Sequence, residues 1–191
     1  MSKTVRTFIA IEIPKTVISK IRELQDAIKA SGFKIRWVRA ENIHLTLKFL
    51  GDIEESKINE IAEAVSKTAE KHSPISLKAK DIGVFPGIKR PRVLWVGLAG
   101  QIEALVKLQT TLDENLIVFD FPREKRPFKG HLTMGRIKDS IDVKKLGDAL
   151  MAFRGFESET FTAGQIILYK SDLTPSGAVY TGLASASLDN N

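Results

Sequence analysis

His44-Leu45-Thr46-Leu47 and His131-Leu132-Thr133-Met134 are two copies of one short pattern, and how they are read decides the fold. Side chains alternate between the two faces of a β-strand, so His44 and Thr46 share one face while Leu45 and Leu47 share the other. His131 and Thr133 stand in the same relation to Leu132 and Met134. Each strand therefore offers an imidazole and a hydroxyl, about 7 Å apart along the backbone, to one surface and sends its apolar residues into a core. Continued in the same phase, Lys48 joins His44 and Thr46. Arg136 falls on the face opposite His131 unless a bulge or strand end at Gly135 re-aims it.

Outward from these strands, the chain repeats its order of elements. A β-rich stretch, Thr4 to Ile13, precedes a helix with Ile18, Ile21, Leu24 and Ile28 at helical spacing, with Pro14 suited to its first turn and a stop at Ser31-Gly32. Strands follow at Ile35 to Val38 and Ile43 to Phe49, then a helix bearing Ile58, Ile61, Ala62, Val65 and Ala69, and a strand at Ile75 to Ala79. The second half brings a strand at Arg92 to Leu98 and a helix with Ile102, Leu105, Leu108, Leu112 and Leu116. Next come a strand at Phe128 to Arg136, a helix with Val143, Leu146, Leu150 and Phe153, and a strand at Gln165 to Tyr169. A shift of 87 residues carries His44 onto His131, strand onto strand and helix onto helix. Such register points to a duplication: one domain over 1–191, made of pseudo-twofold lobes from halves at about 1–87 and 88–184. Residues 185–191 read as a frayed polar end.

Composition narrows the chemistry. Of 191 residues, 43% are hydrophobic and 27% charged, as in soluble globular proteins. Cysteine is absent, which excludes disulfides and thiolate metal sites. The early apolar run Phe8 to Ile11 is too short for a signal peptide or a membrane span, so a cytoplasmic protein, monomeric by default, is expected. A net charge of +6 favours polyanionic partners. Local clusters add to it: Lys89, Arg90 and Arg92 in one place, and Arg123, Lys125, Arg126 and Lys129 running into His131.

Two histidines with two threonines suit proton transfer around phosphorus. Imidazole titrates near pH 6.5, so one copy can be neutral and accept a proton while the other is charged and donates one. Each such step contributes typically about 10²–10⁴-fold. Threonine hydroxyls can hold non-bridging phosphate oxygens between them. A metal centre needs three or four close ligands, yet no acid lies within either motif, so neither metal nor cofactor is expected. No glycine-rich phosphate loop of the usual spacing is present. Arg136 either binds phosphate or is a surface charge. His72, at the C-terminal end of a helix, is expected to act structurally, through the helix dipole.

The segments Phe8–Ile11, Trp37-Val38, Asn42–Gly51, Arg92–Trp95, Phe128–Arg136 and Ser171–Gly177, followed by Tyr180, resemble the 2H phosphoesterases. The similarity is greatest to the branch called RNA 2′,3′-cyclic phosphodiesterase, or 2′-5′ RNA ligase, and it spans nearly the whole chain. It implies an α+β, bilobal fold with antiparallel sheets lining a central cleft and helices outside. It implies hydrolysis of RNA ends bearing a 2′,3′-cyclic phosphate (tRNA halves among them) to 2′-phosphomonoesters, with a capacity for 2′-5′ ligation. Carried onto this chain, it makes His44 the proton donor to the departing 3′ oxygen, His131 the base that activates water, and Thr46 and Thr133 phosphate binders. Lys48, Arg126, Lys129 and Arg136 are further candidates for substrate contact. Gly130 stands where that branch often has proline. A phosphodiesterase for small cyclic nucleotides or cyclic sugar phosphates, and a non-catalytic RNA-end binder, are the competing readings.

Overall fold

A computed structural model describes residues 3–175 and 177–189. In chain order the elements are β1 (Thr4–Glu12), α1 (Lys15–Lys29), β2 (Arg36–Trp37), β3 (His44–Glu54), α2 (Ile58–Ala69), β4 (Ile75–Phe85), β5 (Val93–Gly100), α3 (Ile102–Leu116), β6 (His131–Arg136), α4 (Val143–Ala152), β7 (Phe161–Ala163), β8 (Gln165–Thr174) and β9 (Gly177–Ser187). Eight strands follow one antiparallel path, β7-β4-β5-β6-β3-β1-β8-β9, while the short β2 pairs with β6. At the middle of that path β3 and β6 meet through a single pair, Leu45 with Leu132. This narrow seam divides the path into two runs of four strands, with β2 a fifth beside β6, as an α+β bilobal fold requires.

The lobes are not the two halves of the sequence. β4, from the first half, pairs along nearly its whole length with β5 of the second, and β8 pairs with β1. Each half thus ends by handing a strand to the other lobe, so the chain crosses between the lobes on both sides of the exchange. The C-terminal end also differs from its expected frayed state. Ser185, Ala186 and Ser187 pair with Ile167, Ile166 and Gln165, and Leu188 is fully buried. An apolar anchor plus a ladder partner outweighs the polar character of this stretch; Asn190 and Asn191 lie outside the described residues.

Helices cover the face to which Leu45, Leu47, Leu132 and Met134 point; all four side chains are buried. Leu105, Leu108, Leu112 and Leu116 of α3 sit at the 3, 4 spacing of one helical stripe and are fully buried. Each such side chain stabilises the fold by about 1.5–3 kcal/mol relative to exposure. α2 lies beside α3 and against β8 and β9. α1 is tied to β6 by Gln25, whose Nε2 donates to Val38 O and Met134 O, both at 2.9 Å. Among the described residues no helix is long and apolar enough to cross a membrane.

Candidate active site

The two histidines open their strands, β3 and β6, on either side of the seam. Their rings are held alike. His44 Nδ1 lies 2.8 Å from Asn42 O, and His131 Nδ1 lies 2.7 Å from Lys129 O. A carbonyl oxygen can only accept, so Nδ1 carries the hydrogen in both rings and Nε2 is left as the nitrogen that exchanges protons. Asn42 and Lys129 are themselves 87 residues apart, so the tautomer-setting contact repeats with the motif.

Strict alternation fails after each threonine, and it fails at equivalent places. In lobe one, Thr46 pairs with Ala10 but Lys48 pairs with Ile9, which leaves Leu47 as a bulge. In lobe two, Thr133 pairs with Trp95 but Gly135 pairs with Leu94, which leaves Met134 as a bulge. Each extra residue inverts the phase of everything beyond it. Lys48 is therefore not on the face of His44, as alternation predicts. It turns to the helical side, 4% exposed, with Nζ 2.8 Å from Asp113 Oδ1 of α3. Phe49 and Arg136 take the places five residues after each histidine, on the cleft face. Phe49 is opposite Phe8, with ring centroids 6.2 Å apart. Arg136 is close enough for its charge to oppose protonation of His44 and to favour ionisation of Tyr180.

An aromatic floor lies behind the histidines. Phe8 stacks on His44 at 4.7 Å and 27°, Tyr180 meets the same ring edge-on at 5.3 Å, and Tyr169 stacks on Phe8 at 5.3 Å. In lobe two, Phe85 meets His131 edge-on at 5.0 Å and in turn touches Trp95 at 5.0 Å. Trp95 needs glycine beneath it: a Cβ on Gly83 would stand 2.4 Å from its Cζ2. Neither floor follows from the histidine motifs. A signal existed, because the shift of 87 that superposes the histidines also carries Phe8 onto Trp95.

Burial holds His44 below the usual imidazole range, and the positive charges of Arg136 and His131 push the same way, against the bond to Asn42 O. Burial also raises the hydroxyls of Tyr169 and Tyr180. Beside His44 a cavity of about 360 Å³ is lined by Glu12, Arg39, Asn42, Tyr169 and Tyr180. Asn42 Nδ2 donates to Ala178 O at 2.8 Å, which joins β9 to the residue that orients His44.

Of the other expected contacts, Lys129 is exposed and offers its carbonyl to His131, while Arg126 lines a different cavity beside α3. Gly130 faces the core, where a Cβ would stand 3.0 Å from Leu105 Cδ2. His72 is structural by another route than the helix dipole. Its Nε2 lies 3.0 Å from Thr111 Oγ1, joining the end of α2 to α3, and burial with the Lys71 charge lowers its pKa. Among the described residues no three His, Asp or Glu side chains converge as a metal site would require.

Comparison with known proteins gives the family. The family model described as LigT like Phosphoesterase matches twice, at residues 11–95 and 96–180, and each match holds one His-x-Thr motif. The chain is 38% identical over 175 residues to the RNA 2′,3′-cyclic phosphodiesterase of Methanocaldococcus jannaschii, covering 92% of this chain and 96% of that one. It is 36% identical over 185 residues to the protein of the same name from Aquifex aeolicus, covering 94% and 95%. The solved structure of TT0787 from Thermus thermophilus superposes with a TM-score of 0.79 at 25% identity, over 97% of this chain and 98% of that one. With the model matched over both repeats and the paired motif present in each, this chain belongs to the LigT-like phosphoesterases.

Proposed function

We propose that this phosphoesterase hydrolyses the 2′,3′-cyclic phosphate at an RNA end to a 2′-phosphomonoester, with the two histidines as its only proton carriers. The observation that carries this reading is the repeated Nδ1–carbonyl bond, which leaves one Nε2 on each lobe as a proton-transfer atom. His131 Nε2 takes a proton from water as the water oxygen attacks phosphorus. The bond from phosphorus to O3′ breaks, and His44 Nε2 gives its proton to O3′. Thr46 and Thr133, on the same face as the histidines, donate to the non-bridging oxygens, and Arg136 offsets the charge gathering on them. Phe49, 65% exposed on the cleft face, gives the terminal base a ring to stack on.

His44 must enter this cycle protonated, although burial and nearby cations disfavour that state. The anionic phosphodiester restores it, because a negative charge beside imidazolium raises its pKa. The proton is thus loaded together with the substrate. If an RNA 5′-hydroxyl replaces water as the attacking group, the same steps yield a 2′-5′ linkage, and in reverse they cleave one. The names of the Methanocaldococcus and Aquifex relatives support RNA as the substrate, as does the excess of Lys and Arg.

The test is incubation of the protein with a short RNA ending in a 2′,3′-cyclic phosphate, in the presence of EDTA, followed by identification of the product. A 2′-phosphate is the expected result. A 3′-phosphate would reverse which ester oxygen His44 protonates. Activity that appears only when divalent metal is added would overturn the two-histidine mechanism.

A further inference from the structure

A cavity of about 340 Å³ lies between α3 and the segment 123–128, away from the residues just described. Its wall includes Gln109, which is 5% exposed and whose Nε2 is buried without a hydrogen-bond partner among the described residues. A buried amide is ordinarily paired. Gln25, similarly buried, places its own Nε2 on two carbonyl oxygens. Gln109 therefore stands out as a polar group that the fold itself does not use.

The charges around the cavity divide in a telling way. Asp113 is held by Lys48, and Arg123 by Glu114 at 3.0 Å; Glu124 lies 3.8 Å from Lys48. Lys125 and Arg126 are exposed and make no ion pair among the described residues. Val106, Pro127 and Phe128 supply apolar surface. The cavity thus combines an unpaired carboxamide, apolar walls and two uncommitted cations, in a volume within the range of small-molecule sites.

We propose that this cavity is a second nucleotide subsite. The Gln109 carboxamide donates to and accepts from a base edge, Phe128 and its apolar neighbours cover the base, and Lys125 and Arg126 take a phosphate. The nucleotide comes either from the RNA strand leading to the reacting end or from solution as a free mononucleotide. The strand is favoured, because the segment that walls the cavity runs directly into His131. This assignment rests on the RNA reading given above.

The experiment compares wild type with Gln109→Leu and with Lys125→Gln. kcat/KM is measured on a mononucleotide 2′,3′-cyclic phosphate and on an RNA octamer with the same terminal nucleotide. Each variant is expected to lose about tenfold on the octamer, a single unit of log affinity, and nothing on the mononucleotide. The thermal midpoint of Gln109→Leu should hold or rise, since the leucine buries no unpaired polar group. In parallel, AMP binding is followed by calorimetry. Loss of an AMP binding event in Gln109→Leu with octamer rates unchanged assigns the pocket to a free nucleotide. Unchanged octamer rates and unchanged AMP binding overturn the proposal, whether the amide then proves to be water-bonded or merely buried. If wild type leaves both cyclic phosphates intact, the hydrolysis reading fails, and the AMP measurement still decides the pocket.

Discussion

Lys48 Nζ lies 2.8 Å from Asp113 Oδ1, with both side chains less than a tenth exposed, and this pair joins the strand of His44 to the approach to His131. Lys48 also donates to Pro122 O at 2.6 Å, and Asp113 Oδ2 accepts from the Glu124 amide at 3.1 Å. Removing one partner leaves the other charge buried alone, which costs about 3–5 kcal/mol. Lys48→Met is expected to lose stability of that order in urea unfolding. Lys48→Met with Asp113→Leu should recover most of it. A double variant no more stable than the single one would show that the pair carries no coupling.

This pair also marks where sequence reading stops. The helical stripes of α1, α2 and α3 were legible because their apolar residues recur at one spacing, and the paired His-x-Thr pattern located the two motif strands. The bulges at Leu47 and Met134 are not legible, since nothing local distinguishes a bulged residue from a paired one; strict alternation therefore puts Lys48 on the wrong face and gives Phe49 no place in the cleft. β9 is illegible for a different reason. It is an edge strand of small and polar residues with no alternating apolar face, and it exists through its ladder with β8. Strand exchange between lobes is likewise invisible to periodicity, which reports the elements and not their neighbours.

Substitution of either histidine separates acid–base chemistry from binding. His44→Ala and His131→Ala should each lower turnover of an RNA cyclic phosphate by at least about 10²-fold, the usual size of one proton-transfer contribution. Circular dichroism should remain that of wild type, since both rings stand on the cleft face and are only partly covered. Wild-type turnover in either variant would remove that histidine from the reaction.

Phe49 offers a large ring to solvent on the cleft face of β3, 65% exposed, where it contributes little to the core. Stacking of a base on such a ring is worth about 1–3 kcal/mol. Phe49→Ala is therefore expected to reduce kcat/KM by roughly tenfold or more at that energy, while the urea midpoint stays near wild type. Phe49→Trp should retain activity, because it keeps a stacking face. A loss of stability matching the loss of activity would instead make Phe49 a packing residue for Phe8.

The position of His44 in pH is set largely by burial, which the bond to Asn42 O opposes and the charge of Arg136 reinforces, and this gives a signed prediction. Its pKa lies below the ordinary 6.5. In the free enzyme an NMR titration should place its midpoint under that value. Arg136→Gln removes a positive neighbour that disfavours imidazolium, so the midpoint should rise. Binding of inorganic phosphate to wild type should raise it too, by supplying the opposite charge. The same shift links to stability. Unfolded His44 takes up a proton near pH 6.5, before folded His44 does, so its contribution is present above 6.5 and is lost as pH falls through the lower folded value. A His44 midpoint that stays where it is in Arg136→Gln would show that the arginine points away from the imidazole, and with it away from the phosphate it is proposed to hold.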